Sequence, residues 1–135
     1  MEIANGTYLG DLRVEVTHLK SGQTIITDAP PDNQGKGESF SPTDLMSVSL
    51  GTCMLSIMGI AARTNKINIE GTKMKVSKVM GSNPRRVIEV HIEFEMPPGT
   101  FSDKEKDILK NAALTCPVAK SLHPDIIQGL NFIYK

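Results

Sequence analysis

The stretch SPTDLMSVSLGTCMLSIMGIAAR, residues 41 to 63, decides the fold. Residues 45 to 62 carry no charge, so we expect the segment to be buried. Its start is typical of a helix, because Ser41 can cap the backbone, Pro42 suits the first helical position and Asp44 is an acid in the first turn. The length and the cap together predict one long central helix.

An uncharged run of this length also fits a membrane span, which needs about 20 predominantly apolar residues. The run is diluted by small or polar residues, among them Ser47, Ser49, Gly51, Thr52 and Ser56. The capping pattern before it and the amphipathic segments elsewhere are typical of a soluble domain. The sequence therefore predicts a core helix and no membrane partner.

The composition limits the classes of protein to which the chain can belong. Its 135 residues are enough for one domain with a real core, so we expect a single domain over residues 1–135. The 15 basic residues balance the 15 acidic ones and Trp is absent, so neither charge nor aromatic surface favours a nucleic acid partner. The N-terminus has no basic segment followed by an apolar one, which predicts a cytoplasmic protein without a signal peptide.

Before the central helix, β-rich runs at 7–19 and 23–27 predict two strands joined by a turn at residues 20–22. Residues 29–40, APPDNQGKGESF, have the composition of a loop and are long for a plain connection. Such a loop either lines a site or simply crosses the surface, and the sequence leaves both open.

After the central helix, the patterns predict strands and helices at 67–80 (strand, broken or bulged near Gly71), 85–96 (strand), 102–115 (helix), 118–122 (helix) and 130–134 (strand). Ser102 and Glu105 have the spacing of a capping box, and Pro117 ends the second helix and begins the third. The order β-β-α-β-β-α-α-β predicts an α+β fold with a mostly antiparallel sheet. The strand at 85–96 alternates cleanly, and its apolar face is predicted to be Ile88, Val90, Ile92, Phe94 and Met96.

Two cysteines carry the candidate chemistry: Cys53 in the middle of the central helix, and Cys116 at or beside the start of the third. Free backbone N–H groups at that start predict a lowered pKa for the Cys116 thiol, whereas burial would raise the pKa of Cys53 unless a cation or a donor lies nearby. Three interpretations of the two cysteines remain open: inert core thiols, a redox pair, or part of a metal site. For the metal site, no ligand-type spacing links the cysteines to His18, His91 or His123.

Two motifs, SPTDLMSVSLGTC at 41–53 and TCPVAKSL at 115–122, resemble those of the OsmC/Ohr family, the osmotically inducible protein C and organic hydroperoxide resistance proteins. The order of elements matches this family over essentially the whole chain. The resemblance implies an OsmC-like α+β fold in an intertwined homodimer with the two central helices in the middle. Such a dimer would account for a helix that is apolar on nearly every side.

By the same resemblance, Cys53 is the peroxidatic cysteine, whose thiolate attacks a peroxide and becomes a sulfenic acid. Cys116 is the resolving cysteine, which condenses with Cys53 to a disulfide that an external dithiol then reduces. The resemblance implies no cofactor and no metal. Apolar surroundings of Cys53 would suit organic hydroperoxides better than hydrogen peroxide.

The chain departs from the family pattern at Thr43, where peroxidatic members carry a glutamate that helps to hold an activating arginine. Arg13 is the only arginine before the central helix and hence the candidate cation, with a solvated strand charge as its alternative role. Glu38 is the freer candidate acid, because Asp44 falls on roughly the opposite helix face from Cys53 and suits a helix cap. Thr43 favours the alternative of a non-enzymatic dimer that binds a small apolar ligand or senses oxidants.

Overall fold

Three strands near the N-terminus form an antiparallel sheet in chain order. In the computed structural model, which describes residues 1–135, these strands are β1 (Ala4–Gly10), β2 (Arg13–His18) and β3 (Thr24–Asp28). The run predicted as one strand at 7–19 is therefore two, because the chain reverses at Asp11 and Leu12, with φ of 53° and 61°. Gly10 and Asp11 are typical of such a turn, and Gly10 also has a positive φ of 88°, whereas Leu12 is an unusual residue for this left-handed conformation.

The chain divides into two units, Met1–Met46 and Ser47–Lys135. The first contains this sheet and the predicted loop at 29–40, within which Pro31–Asn33 forms one turn of 3-10 helix. The buried residues of the first unit are all polar: Thr27, Asp28 and Ser41. This unit consequently buries none of its apolar side chains fully.

The central stretch forms helix α1 (Pro42–Thr64), as predicted. The Asp44 N–H donates to Ser41 Oγ at 3.0 Å, and the Ser41 N–H donates to Asp44 Oδ2 at 3.0 Å. This reciprocal pair is a capping box, which confirms Asp44 as a cap acid. Helix α1 is long and apolar enough to cross a membrane, but the core helix of a soluble protein has the same properties. Within this chain, 33% of its apolar 18-residue segment is buried.

The second unit contains a sheet of three strands in chain order, β4 (Lys73–Gly81), β5 (Arg86–Glu95) and β6 (Ile127–Ile133). Strands β4 and β5 pair antiparallel, whereas β5 and β6 pair parallel. The interruption predicted near Gly71 is present, since the chain turns at this residue, whose φ is 90°, and the strand itself begins only at Lys73. The predicted α+β class with mostly antiparallel strands is confirmed.

A bulge in β5 changes which residues of this strand face the core. Val79 pairs with Glu89, but Met80 pairs with Val87, so Ile88 is the extra residue on β5. The predicted apolar face is therefore wrong at Ile88, because Val87 is buried in its place. From there on the prediction is right, with buried side chains at Val90, Ile92, Phe94 and Met96.

Two helices lie between β5 and β6 in the chain, α2 (Asp103–Leu114) and α3 (Pro117–Ser121). The predicted capping box of α2 is present, with the Glu105 N–H donating to Ser102 Oγ at 3.1 Å and the Ser102 N–H donating to Glu105 Oε1 at 2.9 Å. The core of the second unit is built from the buried side chains of α1, β5 and α2, among them Leu50, Met54, Met58, Phe94 and Leu109.

Candidate active site

Cys53, in the middle of helix α1, is partly exposed. Leu50 and Met54, nearby on the same helix, are buried. The neighbouring hydroxyls bond within the helix, since Thr52 Oγ1 donates to Ser49 O at 3.2 Å and Ser56 Oγ donates to Thr52 O at 2.9 Å. The surroundings of Cys53 on its own helix are thus apolar side chains and hydroxyls that already have carbonyl partners.

Cys116 occupies the N-cap of α3, as the sequence predicts. Its backbone is extended (φ −67°, ψ 147°), Pro117 takes the first helical position, and the Ala119 N–H donates to Cys116 Sγ at 3.3 Å. The residue is 0% exposed. The cap therefore fixes the Cys116 sulfur in one place inside the protein.

The structure brings the two thiols together, although 63 positions separate them in the chain. Both are free, and they lie near enough for the Cys53 side chain to act on the pKa of the Cys116 thiol. Burial raises the pKa of the Cys116 thiol, the Ala119 N–H opposes this, and the Cys53 thiol raises the pKa further. The predicted lowering is therefore wrong, because loss of water around the sulfur outweighs the backbone donors.

In the first unit, Arg13 belongs to a cluster of charged side chains. It stands opposite Asp28 in the β2–β3 register, and its Nε and Nη2 donate to Asp28 Oδ1 and Oδ2 at 2.7 and 2.9 Å. Arg13 Nη2 also donates to Glu38 Oε1 at 3.2 Å, and the Glu38 N–H donates to Asp28 Oδ2 at 3.1 Å. The hydrogen bonds from Arg13 hold the pKa of Asp28 below its usual value, and those to Asp28 raise the pKa of Arg13.

Arg13 is thus held by two carboxylates rather than being a solvated strand charge. Glu38, a candidate from the sequence, is one of them, and the other, the buried Asp28, is the residue that sequence reasoning missed. The pairing of β2 with β3 would have identified Asp28, because it places this residue opposite Arg13. That pairing can be predicted only if the run at 7–19 is first divided into two strands. Asp44, the third candidate, caps α1 and takes no part in the contacts of Arg13 described above.

The loop at 29–40 lines an open cleft of about 600 Å³ in the first unit. Its apolar wall is formed by Ile25, Ile26 and Phe40, and Glu38 contributes a charged side. Residues 37–40 of the loop thus form part of the wall of a surface cleft. No three His, Cys, Asp or Glu side chains in the chain are grouped so as to hold a metal ion.

An α+β fold that brings two free thiols near each other defines a class of small thiol-bearing proteins. Comparison with known proteins identifies the family within that class. The family model described as OsmC-like protein matches residues 35–128, most of the chain, so this chain belongs to the OsmC-like family. The resemblance drawn from the two cysteine motifs is thereby confirmed. No curated protein sequence matches the chain.

Solved structures support the same assignment. A protein from Psychrobacter arcticus 273-4, named for osmotic stress induction and a detoxification response, is 55% identical, with a TM-score of 0.94 over 98% of this chain and 96% of that one. Organic hydroperoxide resistance proteins from Legionella pneumophila (18% identical, TM-score 0.76, covering 98% and 96%) and Elizabethkingia anophelis (16%, 0.77, covering 100% and 98%) share the fold.

Membership of this family settles some general properties. OsmC-like proteins are free of cofactors and are generally homodimers. The OsmC-like fold is a soluble fold, and its apolar helix is a core helix. The predicted core role of the stretch at 41–63 therefore agrees with the family.

Proposed function

We propose that this protein is a thiol-dependent peroxidase that reduces organic hydroperoxides through Cys53 and Cys116, as part of oxidative stress defence. The observation that carries the proposal is the proximity of the two thiols, because a redox pair needs sulfurs that can join with little backbone movement. The names of the related structures, which refer to hydroperoxide resistance and to osmotic stress, agree with this class of function.

The difference in exposure supports the division of roles. Cys53 is the sulfur that an incoming peroxide can reach, whereas Cys116 is fully buried. The Cys53 thiolate attacks one peroxide oxygen, the O–O bond breaks, an alcohol leaves and the sulfur becomes a sulfenic acid. The Cys116 sulfur then displaces the hydroxyl from Cys53, and the resulting disulfide is reduced by an external dithiol. A reducing cytoplasm would supply that reductant without any cofactor.

The preference for organic peroxides follows from the side chains around Cys53. Leu50 and Met54 are buried beside it, and Ile57 lies one turn further along the same helix. An apolar wall favours the alkyl group of a hydroperoxide and offers hydrogen peroxide few polar contacts. The proposed substrate class is therefore small apolar hydroperoxides.

A homodimer is part of this proposal. Two thirds of the most apolar window of α1 is not buried within one chain. In the first unit, Tyr8 and Phe40 are 63% and 56% exposed, and Leu9 and Ile25 are also exposed. Covering apolar surface is worth about 25 cal/mol per Å². A second copy of the chain would supply that cover, and a monomer by light scattering at micromolar concentration would contradict it.

Supporting roles for Arg13 and Glu38 also belong to the proposal. In the family pattern, an arginine held by a glutamate favours the thiolate of the peroxidatic cysteine. Here Thr43 replaces that glutamate, yet Arg13 is held by Asp28 and Glu38. If Arg13 serves Cys53 in this way, Arg13→Gln should slow alkylation of the Cys53 thiol at neutral pH. An unchanged alkylation rate would remove Arg13 from the site.

The same cluster favours one alternative function. Two carboxylates face the single guanidinium of Arg13, so its positive charge is more than offset locally. A cation so neutralised would do little for a thiolate, which would leave a non-enzymatic dimer that binds a small apolar ligand or senses oxidants. Such a protein would keep Cys53 as an ordinary, weakly reactive thiol.

The test is an assay of the purified protein with a dithiol reductant. We expect cumene hydroperoxide and tert-butyl hydroperoxide to be consumed faster than hydrogen peroxide. Cys53→Ser should abolish the reaction, whereas Cys116→Ser should complete a first turnover and then stall at the sulfenic acid. An inactive wild-type protein whose Cys53 resists alkylating agents at neutral pH would favour the binding alternative.

A further inference from the structure

Strand β6 carries one polar side chain on its apolar face. Side chains alternate along a strand, so Gln128, Leu130 and Phe132 share one face of β6. In the register with β5, Gln128 stands opposite Val90, which is 0% exposed and belongs to the core. Packing alone would favour an apolar residue at this half-buried position. The amide of Gln128 therefore needs a hydrogen-bond partner on the inner side of the sheet.

That partner is the backbone of α3. Gln128 Nε2 donates to the Ala119 carbonyl oxygen at 3.0 Å. The last carbonyls of a helix have no N–H of their own helix to accept from, and α3 ends soon after Ala119, at Ser121. The N–H of the same Ala119 donates to the Cys116 sulfur at 3.3 Å. Two hydrogen bonds in series thus join β6, through one residue of α3, to the Cys116 sulfur.

Packing by itself holds α3 only weakly against the rest of the second unit. The helix has five residues, and none of them is buried. Other hydrogen bonds of α3 stay local, since Ser121 Oγ donates to the Pro117 carbonyl at 2.8 Å and the Leu122 N–H donates to the Val118 carbonyl at 3.1 Å. A segment with few buried contacts opens easily. The hydrogen bond from Gln128 is consequently an anchor that fastens α3 to the sheet.

We propose that Gln128 is a positioning residue for the resolution step, in which it keeps the Cys116 sulfur in place to attack the oxidised Cys53. This inference rests on the proposed function and deepens it. In that step the Cys116 thiol loses its proton and its sulfur bonds to the Cys53 sulfur. The S–O bond of the sulfenic acid breaks, and the departing hydroxide takes up the proton and leaves as water. Gln128 acts through Ala119, because a fixed Ala119 raises the fraction of time that the Cys116 sulfur is correctly placed.

The experiment separates the two chemical steps in a single turnover with tert-butyl hydroperoxide and no dithiol. Dimedone traps the sulfenic acid, and mass spectrometry of acid-quenched samples follows the disulfide. Gln128→Met keeps the length of the side chain and removes the donor. It should slow formation of the disulfide by about five- to tenfold, the change in population that the loss of one hydrogen bond allows. The sulfenic acid should form at the wild-type rate.

Two further variants and one further measurement make the comparison specific. Gln128→Glu keeps the shape but sets a carboxylate against the Ala119 carbonyl, so at neutral pH it should slow the disulfide step at least as much as Gln128→Met. Asn131→Leu is the control, because it removes another amide of β6, one that lies on the opposite face and donates to Glu93 Oε1 at 3.4 Å. This control should leave both steps unchanged. Hydrogen exchange in Gln128→Met should become faster at residues 116–122 and stay unchanged in β5.

Three results would overturn the inference while leaving the proposed peroxidase intact. One is a disulfide step in Gln128→Met as fast as that of the wild type. Another is an equal slowing of both steps, which would make Gln128 a general support of the fold. The third is unchanged hydrogen exchange in α3, which would show that Gln128 does not anchor this helix. A wild-type protein that forms no sulfenic acid would instead overturn the proposed function, and with it the reaction that Gln128 is proposed to serve.

Discussion

Two leucines on helix α2 differ in burial and provide a matched test of how this fold is stabilised. Leu109 is 0% exposed in the core of the second unit, whereas Leu114, at the end of the same helix, is 46% exposed. Leu109→Ala removes a buried side chain and leaves a cavity, which should cost about 3 kcal/mol of the free energy of unfolding. Leu114→Ala should cost less than about 1 kcal/mol, because much of its side chain is already in water.

The comparison removes the effect of helix propensity, since both variants exchange leucine for alanine in one helix. The assay is equilibrium unfolding in urea at one fixed protein concentration, because association of two chains would also contribute to stability. With a slope of about 2 kcal/mol per M, the Leu109→Ala midpoint should fall by about 1.5 M and the Leu114→Ala midpoint by less than about 0.5 M. Equal shifts in the two variants would refute the assignment of the core.

Three further predictions concern the first unit and the helix caps. Arg13 lowers the pKa of Asp28 in the folded state, so this carboxylate stabilises the fold above about pH 4, and that stability is lost as the pH falls through the folded-state pKa. The difference in free energy of unfolding between the wild type and Asp28→Asn should therefore become smaller in urea titrations at acid pH. Ser102→Ala removes a cap of α2 and should lower the free energy of unfolding by about 1 kcal/mol, measured by the same titration. A Cβ at Gly35 would overlap the carbonyl of Ala29, so Gly35→Ala should open the loop at 29–40 to limited proteolysis, and an unchanged cleavage pattern would contradict this.

Local signals in the sequence predict much of this fold. Helix α1 follows from an uncharged run that comes after a Ser41 cap, and α2 follows from the spacing of Ser102 and Glu105. Pro117 places Cys116 at the N-cap of α3. Each of these features depends on residues that are neighbours along one continuous stretch of chain, so the sequence contains all that is needed to infer it.

Only the tertiary structure decides what depends on distant residues. The register that sets the Asp28 carboxylate against Arg13 follows from strand pairing, and the bulge at Ile88 follows from how β4 and β5 meet. The proximity of Cys53 and Cys116 requires the folded second unit. The pKa of Cys116 depends on burial and its backbone donors together, and burial, which no local pattern measures, is the larger effect.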